Sequence, residues 1–162
     1  MFFNSGYSFP VYGHWGDRDI GFESSMGFKI MYIKDIDDVI SIGALASNYS
    51  YYKNRNNEIK ISIFSFAPVL FSWLGMDERI FYGYVGSGIY HWTQPSSSSF
   101  DSTSATEFGF RMGSGLKIKL GRKTGIGLNL EWNHIFKMKS KNFDIGPVNN
   151  IDLSMSFIYS FY

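Results

Sequence analysis

The chain has 162 residues, a length suited to a single domain, and its formal net charge of +1 gives no electrostatic reason to expect nucleic acid as a partner. It contains no cysteine, which excludes a disulfide framework or a thiolate metal site, and no apolar run of roughly eighteen residues, which excludes a transmembrane helix. Aromatics reach 19% and charged residues only 18%, while mean hydropathy is −0.10, an average expected when only every second side chain of a strand meets lipid.

Period-two alternation predicts eight strands in chain order. The first covers 2–12. The second covers 20–33, with Phe22, Met26, Phe28, Ile30 and Tyr32 on one face and Glu23 and Lys29 on the other. The third covers 39–53 and the fourth 58–72, where Pro68 predicts a bulge or a locally broken ladder. In the fifth, 79–93, Phe81, Val85 and Ile89 oppose Tyr82, Tyr84 and Tyr90. The sixth, 105–120, sets Phe108, Phe110, Met112, Leu116, Ile118 and Leu120 against Glu107, Gly109, Arg111, Gly113, Gly115 and Lys117. The seventh, 125–138, sets Ile126, Leu128, Leu130, Trp132 and Phe136 against Gly127, Asn129, Glu131, Asn133 and Lys137. The eighth, 150–162, alternates Ile151, Leu153, Met155, Phe157, Tyr159 and Phe161 with Asp152, Ser154, Ser156 and Ser160. A tilted strand needs roughly 9–11 residues to cross a bilayer, and this last one is longer.

The pattern is that of an all-β, eight-stranded antiparallel up-and-down transmembrane β-barrel occupying 1–162. Connections at 34–38, 73–78 and 121–124 alternate with those at 13–19, 54–57, 94–104 and 139–149, of which all but 54–57 are longer, the asymmetry of outer-membrane barrels. Residues 1–9 lack the basic and continuous apolar regions of a signal peptide, so the chain reads as a mature form destined for the bacterial outer membrane. The polar face belongs inside, where opposite charges pair. Glu23, Lys29, Glu107, Arg111, Lys117 and Glu131 are therefore expected to form an interior network, with inward glycines making room for it. Aromatics near strand ends (Phe2, Phe3, Tyr32, Tyr51, Tyr52, Trp73, Tyr90, Trp92, Trp132, Phe161 and Tyr162) are expected to form interfacial girdles. The rival is a soluble lipocalin-like barrel, which would put its apolar side chains inside and its polar ones outside.

Strands five to seven carry Tyr84-Val-Gly-Ser-Gly-Ile-Tyr90, Phe108-Gly-Phe-Arg-Met-Gly-Ser-Gly-Leu116 and Leu128-Asn-Leu-Glu131. These segments, with the aromatic final strand, resemble the small outer-membrane β-barrel superfamily of the OmpA/OmpX type. The resemblance implies architecture rather than activity, since members include anchors, adhesins, surface-protection proteins and lipid-modifying enzymes. Glu131-Trp-Asn-His134-Ile-Phe136, followed by 144–153, is also similar to the end of lipid A 3-O-deacylases. That similarity puts His134 at the family's histidine position, but Phe136 occupies the place of the nucleophilic serine, and Ser140 would need another geometry.

His14 with Asp17 and Asp19, and His91 on the same rim, resemble the Asp and His pairs of omptin-type proteases, but no nucleophile or base is fixed by sequence. The three histidines show no metal-ligand spacing, so neither metal nor cofactor is expected. Lys137, Lys139 and Lys141 stand where lipopolysaccharide phosphates could meet them. The leading expectation is a non-enzymatic outer-membrane protein with a plugged interior, whose surface loops meet lipopolysaccharide, a surface ligand or another envelope protein in a complex. A lipid A-modifying enzyme and a small pore are the alternatives.

Overall fold

The computed structural model describes residues 1–17, 21–54, 59–74, 80–96, 101–139 and 144–161, with the backbone alone at 13 and 14. Its strands are β1 (Phe2–Val11), β2 (Ser25–Asp35), β3 (Ile40–Lys53), β4 (Lys60–Leu74), β5 (Phe81–Gln94), β6 (Thr103–Lys119), β7 (Thr124–Lys139) and β8 (Asp144–Tyr159). One short helix, α1 (Gly13–Gly16), follows β1. Each strand pairs antiparallel with the next, and β1 closes on β8 from Phe2↔Ile158 to Val11↔Asn149. Closure leaves no edge, so every strand finds its hydrogen-bonding partners within the wall.

The period-two pattern decides which way each side chain points. Phe28 and Ile30 on β2, Phe64 and Phe66 on β4, Val85 on β5, Leu128 and Leu130 on β7, and Leu153 and Met155 on β8 all face outward and are exposed. A contiguous apolar surface that encircles a protein needs a cover, and a bilayer supplies one. A lipocalin-like barrel would present the opposite exterior, and that alternative falls here. The connections after β2, β4 and β6 share a rim with both chain ends, where the Met1 ammonium donates to the Tyr159 carbonyl at 2.7 Å. On this terminal rim Asp37 accepts from the backbone N–H groups of Ile40 and Val39, which holds its carboxyl below the usual range.

Four departures from the expected pattern have local causes. Strand β2 begins at Ser25 because residues before it fold over the far mouth with α1: Gly21 N–H donates to Asp17 O and Phe22 N–H to Trp15 O. Phe22 is therefore buried against Trp15 (centroids 4.3 Å apart) and does not share the outward face of Met26. Strand β8 begins at Asp144, so most of the expected 139–149 loop is hairpin. There Gly146, at φ 75, occupies a left-handed position open to glycine, in a segment where the register shifts. A shift between Ile135 and Met138 leaves Phe136 and Lys137 both outside and turns Met138 in, so Lys137 is not an interior residue. At Pro68 the β4–β5 ladder passes from Phe66↔Ile89 to Val69↔Gly86 without a change of register, while Pro68 still faces Ala44. That is a broken ladder without a bulge, as expected of a residue lacking an N–H.

The interior is layered, which corrects the expectation of a uniformly polar lumen. Toward the far rim Trp15, Phe22, Tyr52, Ile61, Trp92, Ile135 and Met138 pack in one apolar cluster. Toward the terminal rim Phe2, Met31, Leu45, Phe71, Trp73 and Tyr82 form another. Phe2, Tyr52, Trp73, Tyr90 and Trp92 thus point into the barrel and take no part in an interfacial girdle, whereas Phe3, Tyr32, Tyr51 and Phe161 are exposed. Tyr162 lies outside the described residues. Three inward glycines make room for tyrosine rings, while Gly125 lies against the chain of Lys117. Gly113 is directly opposite Tyr84, Gly115 opposite Tyr82 and Gly27 opposite Tyr49, and a Cβ at any of the three would overlap the facing ring.

Candidate functional site

Between the two apolar clusters lies a buried charged layer contributed by four strands. Lys29 on β2 extends its ammonium to Glu131 Oε1 at 3.0 Å and Asp152 Oδ2 at 2.9 Å. Arg111 on β6 places Nη1 3.7 Å from Glu131 Oε1 and donates through Nη2 to Ser65 Oγ. Asn133 donates to both carboxylates, at 2.8 Å to Glu131 and 2.7 Å to Asp152. Two tyrosine hydroxyls also donate to the carboxylates, Tyr84 to Glu131 and Tyr49 to Asp152. Tyr90 donates to Asn133 Oδ1 at 3.1 Å and stacks its ring 5.2 Å from the Arg111 guanidinium.

Two cations therefore meet two carboxylates, and their formal charges cancel. The balance matters because each buried ion forfeits its hydration, and only close partners and further hydrogen bonds offset the loss. The alternating pattern places these residues inside, and strand register brings them together: Glu131 is directly opposite Asp152, and Asn133 is opposite both Arg111 and Asn150.

Of the six residues expected in an interior network, Lys29, Arg111 and Glu131 meet here. The other three do not. Glu23 is exposed in the segment before β2, its N–H bonded to Lys53 O at the end of β3; with Phe22 turned inward against Trp15, the next residue points outward. Glu107 sits half-buried across from Tyr90 and makes no ion pair among the described residues. Lys117 lies nearer the terminal rim, its ammonium 5.2 Å above the Trp73 ring. Sequence reasoning missed Asp152, although it shares the small-polar face of β8. A second inward acid directly opposite Glu131 would have signalled that two cations were needed.

The far rim holds the remaining expected residues. His134 is half-buried on the outer wall, its Nδ1 hydrogen-bonded to Asn149 Oδ1 at 2.8 Å and its ring 5.1 Å from those of Phe110 and Phe136. Asn149 and aromatic rings offer no hydroxyl that this imidazole could activate. Lys137 is exposed, and Lys139 pairs with Asp144 at 3.2 Å on the surface. Lys141, Ser140 and Asp19 lie outside the described residues, as does the side chain of His14. His91 faces outward and is hydrogen-bonded through Nδ1 to Thr106 Oγ1 at 2.9 Å. Among the described residues no group of three or more His, Cys, Asp or Glu side chains converges to hold a metal ion.

Comparison with known proteins finds likeness in structure and not in sequence. No family model matches the chain, and no curated protein matches it. Solved structures do. Neisserial surface protein A superposes with a TM-score of 0.66 at 9% identity, covering 98% of this chain and 96% of that one. Ail, the attachment invasion locus protein of Yersinia pestis, described in complex with the heparin analogue sucrose octasulfate, gives 0.55 at 15%, covering 96% of each. OprG, an outer-membrane protein of Pseudomonas aeruginosa, gives 0.54 at 11%, covering 98% and 95%. These neighbours are small eight-stranded outer-membrane barrels, and they agree with the resemblance to the OmpA/OmpX type. No likeness to a lipid A deacylase is found among them.

Proposed function

We propose that this chain is a non-enzymatic protein of a Gram-negative outer membrane, closed to solute flow, that works through its extracellular rim. The observation that carries the reading is the filled lumen, in which a charge-balanced layer with Arg111 and Glu131 buried lies between two packed aromatic clusters. Eight strands enclose only enough space for side chains, and here large ones occupy it. In this reading the rim with both termini faces the periplasm, and the rim with α1, the 95–102 connection and the β7–β8 hairpin faces outward. The outer rim would meet lipopolysaccharide, a surface ligand or another envelope protein. Lys137, Lys139 and Lys141 stand near that surface in the sequence, and the polyanion held by Ail is the kind of ligand such a rim could take.

The test is twofold. Refolded into detergent, the chain is expected to migrate as a compact band that shifts on boiling, and in a planar bilayer it should give no steady conductance. A steady open channel that Arg111→Ala enlarges would overturn the closed reading. Shortening 95–102 and 139–146 should abolish binding to a surface ligand while keeping the heat-shifted band; intact binding would overturn the role of the rim. Lipid A hydrolysis lacks support because Phe136 stands at the nucleophile position, and His134→Ala is expected to leave lipid A composition unchanged.

A further inference from the structure

On one side of the barrel the apolar belt gives way to polar side chains along an abrupt boundary. Along β4 the outward residues run Phe66, Phe64, then Ser62 and Lys60; along β5, Ile89, then His91 and Thr93; along β6, Phe108, then Thr106 and Ser104. Register joins the polar ends into one patch: Ser62 faces Thr93, Thr93 faces Ser104, and His91 faces Thr106. The hydroxyls of Ser62 and Thr93 are 2.6 Å apart. Above them lies a depression of about 430 Å³, lined by Tyr51, Gln94, Pro95 and hydroxyl side chains. The patch does not extend onto β2. On β2 the outward residues in register with Ser50 and Asn48 are Met26 and Phe28, both exposed to the bilayer.

The patch is topped by Lys53 and Lys60, directly opposite one another across β3 and β4 and both exposed. Like charges in direct cross-strand register destabilise a sheet. Exposed Glu23 lies across from Lys53, its N–H bonded to the Lys53 carbonyl, but among the described residues no ion pair joins either lysine to a carboxylate, whereas Lys139 on the other side of the rim is paired with Asp144. Two ammonium groups held side by side on a wall, above hydroxyls and then an abrupt aromatic belt, match an amphiphile in a fixed order. Anionic groups lie outermost, polyhydroxylated sugar beneath them, and acyl chains below.

We infer that this β3–β6 sector is a binding site for the phosphorylated saccharide headgroup of lipopolysaccharide. Lys53 and Lys60 take the phosphate, Ser62, Thr93 and Ser104 take the sugar hydroxyls, and the acyl chains lie over Phe64, Ile89 and Phe108. The inference rests on the outer-membrane reading above, and it assigns the contact to a different face from Lys137, Lys139 and Lys141. Ammonium groups act as point charges toward phosphate, so the affinity is electrostatic and weakens in high salt.

The test uses the full chain refolded in detergent and titrated with purified lipopolysaccharide, with retention measured by co-elution. A K53Q/K60Q variant should keep the heat-shifted band and lose affinity about thirtyfold, since each of the two lysines near an anionic surface contributes about 1 kcal/mol. K53R/K60R should retain it, and K137Q/K139Q should change it little. Dephosphorylated lipopolysaccharide should bind wild type as weakly as intact lipopolysaccharide binds the glutamine variant. Unchanged retention by a folded K53Q/K60Q barrel overturns the site, as does equal competition by phosphatidylglycerol, which would mark an unselective anionic-lipid surface. A chain that stays soluble without detergent defeats the outer-membrane reading itself, and the two failures are thereby told apart.

Discussion

The barrel has two polar regions built from similar residues under opposite constraints. In the lumen Lys29 and Arg111 are matched by Glu131 and Asp152, with Asn133, Tyr49 and Tyr84 donating further hydrogen bonds to the carboxylates. On the outer wall Lys53 and Lys60 face each other in direct register. Burial accounts for the difference. A charge removed from water must find its counterpart within the fold, whereas a charge at the rim keeps its water and its mobile ions. Balance is thus imposed inside and optional outside, and a surplus of one sign on the outside is available for a partner.

That contrast can be broken most severely from within. Glu131→Ala leaves Lys29 with one carboxylate and Arg111 with none at close range, and should cost about 3–5 kcal/mol in urea unfolding from lipid vesicles. A loss below about 1 kcal/mol would mean that the layer is hydrated and not sealed. Tyr49→Phe removes one donor to Asp152 and keeps the ring, and a loss of about 1.5–3 kcal/mol is expected, as for hydrogen bonds to charged groups. Gly113→Val forces a side chain into the Tyr84 ring and should destabilise the barrel by about 1–3 kcal/mol. Combining it with Tyr84→Ala should recover part of that loss, a coupling that a purely local β-propensity effect would not produce. At the other extreme, Lys139→Gln breaks the exposed pair with Asp144, and its unfolding midpoint should coincide with that of wild type. A large shift there would erase the distinction between the two regions.

Much of the fold could be read from alternation because a strand's two faces meet different media. All eight strands, their order and the lipid-facing side of β6, β7 and β8 follow from it. The strand ends followed less well. Gly146 and Pro147 look like loop punctuation, yet they lie within β8, since a bulged hairpin uses the same residues. The girdle was misjudged for a related reason: Trp92, Tyr52 and Phe2 sit near strand ends, but inward parity sends them into the lumen. The structure brings together half of the expected charge network, because parity selects a face without stating height. Lys117 and Glu107 share a face with Arg111 and lie away from its layer.

The sequence by itself determined that the strands are two-faced, large and apolar on one side and small and polar on the other, since period-two alternation is set by the pleat, whatever the strand's neighbours. Tertiary structure alone decided which residues meet across the lumen. Glu131 and Asp152 become neighbours through the register of β7 on β8, and Lys29 reaches them from a strand more than a hundred positions away, because closure brings β2 round beside β8 by way of β1. Pairing across a barrel depends on register and closure together, and a single strand encodes neither.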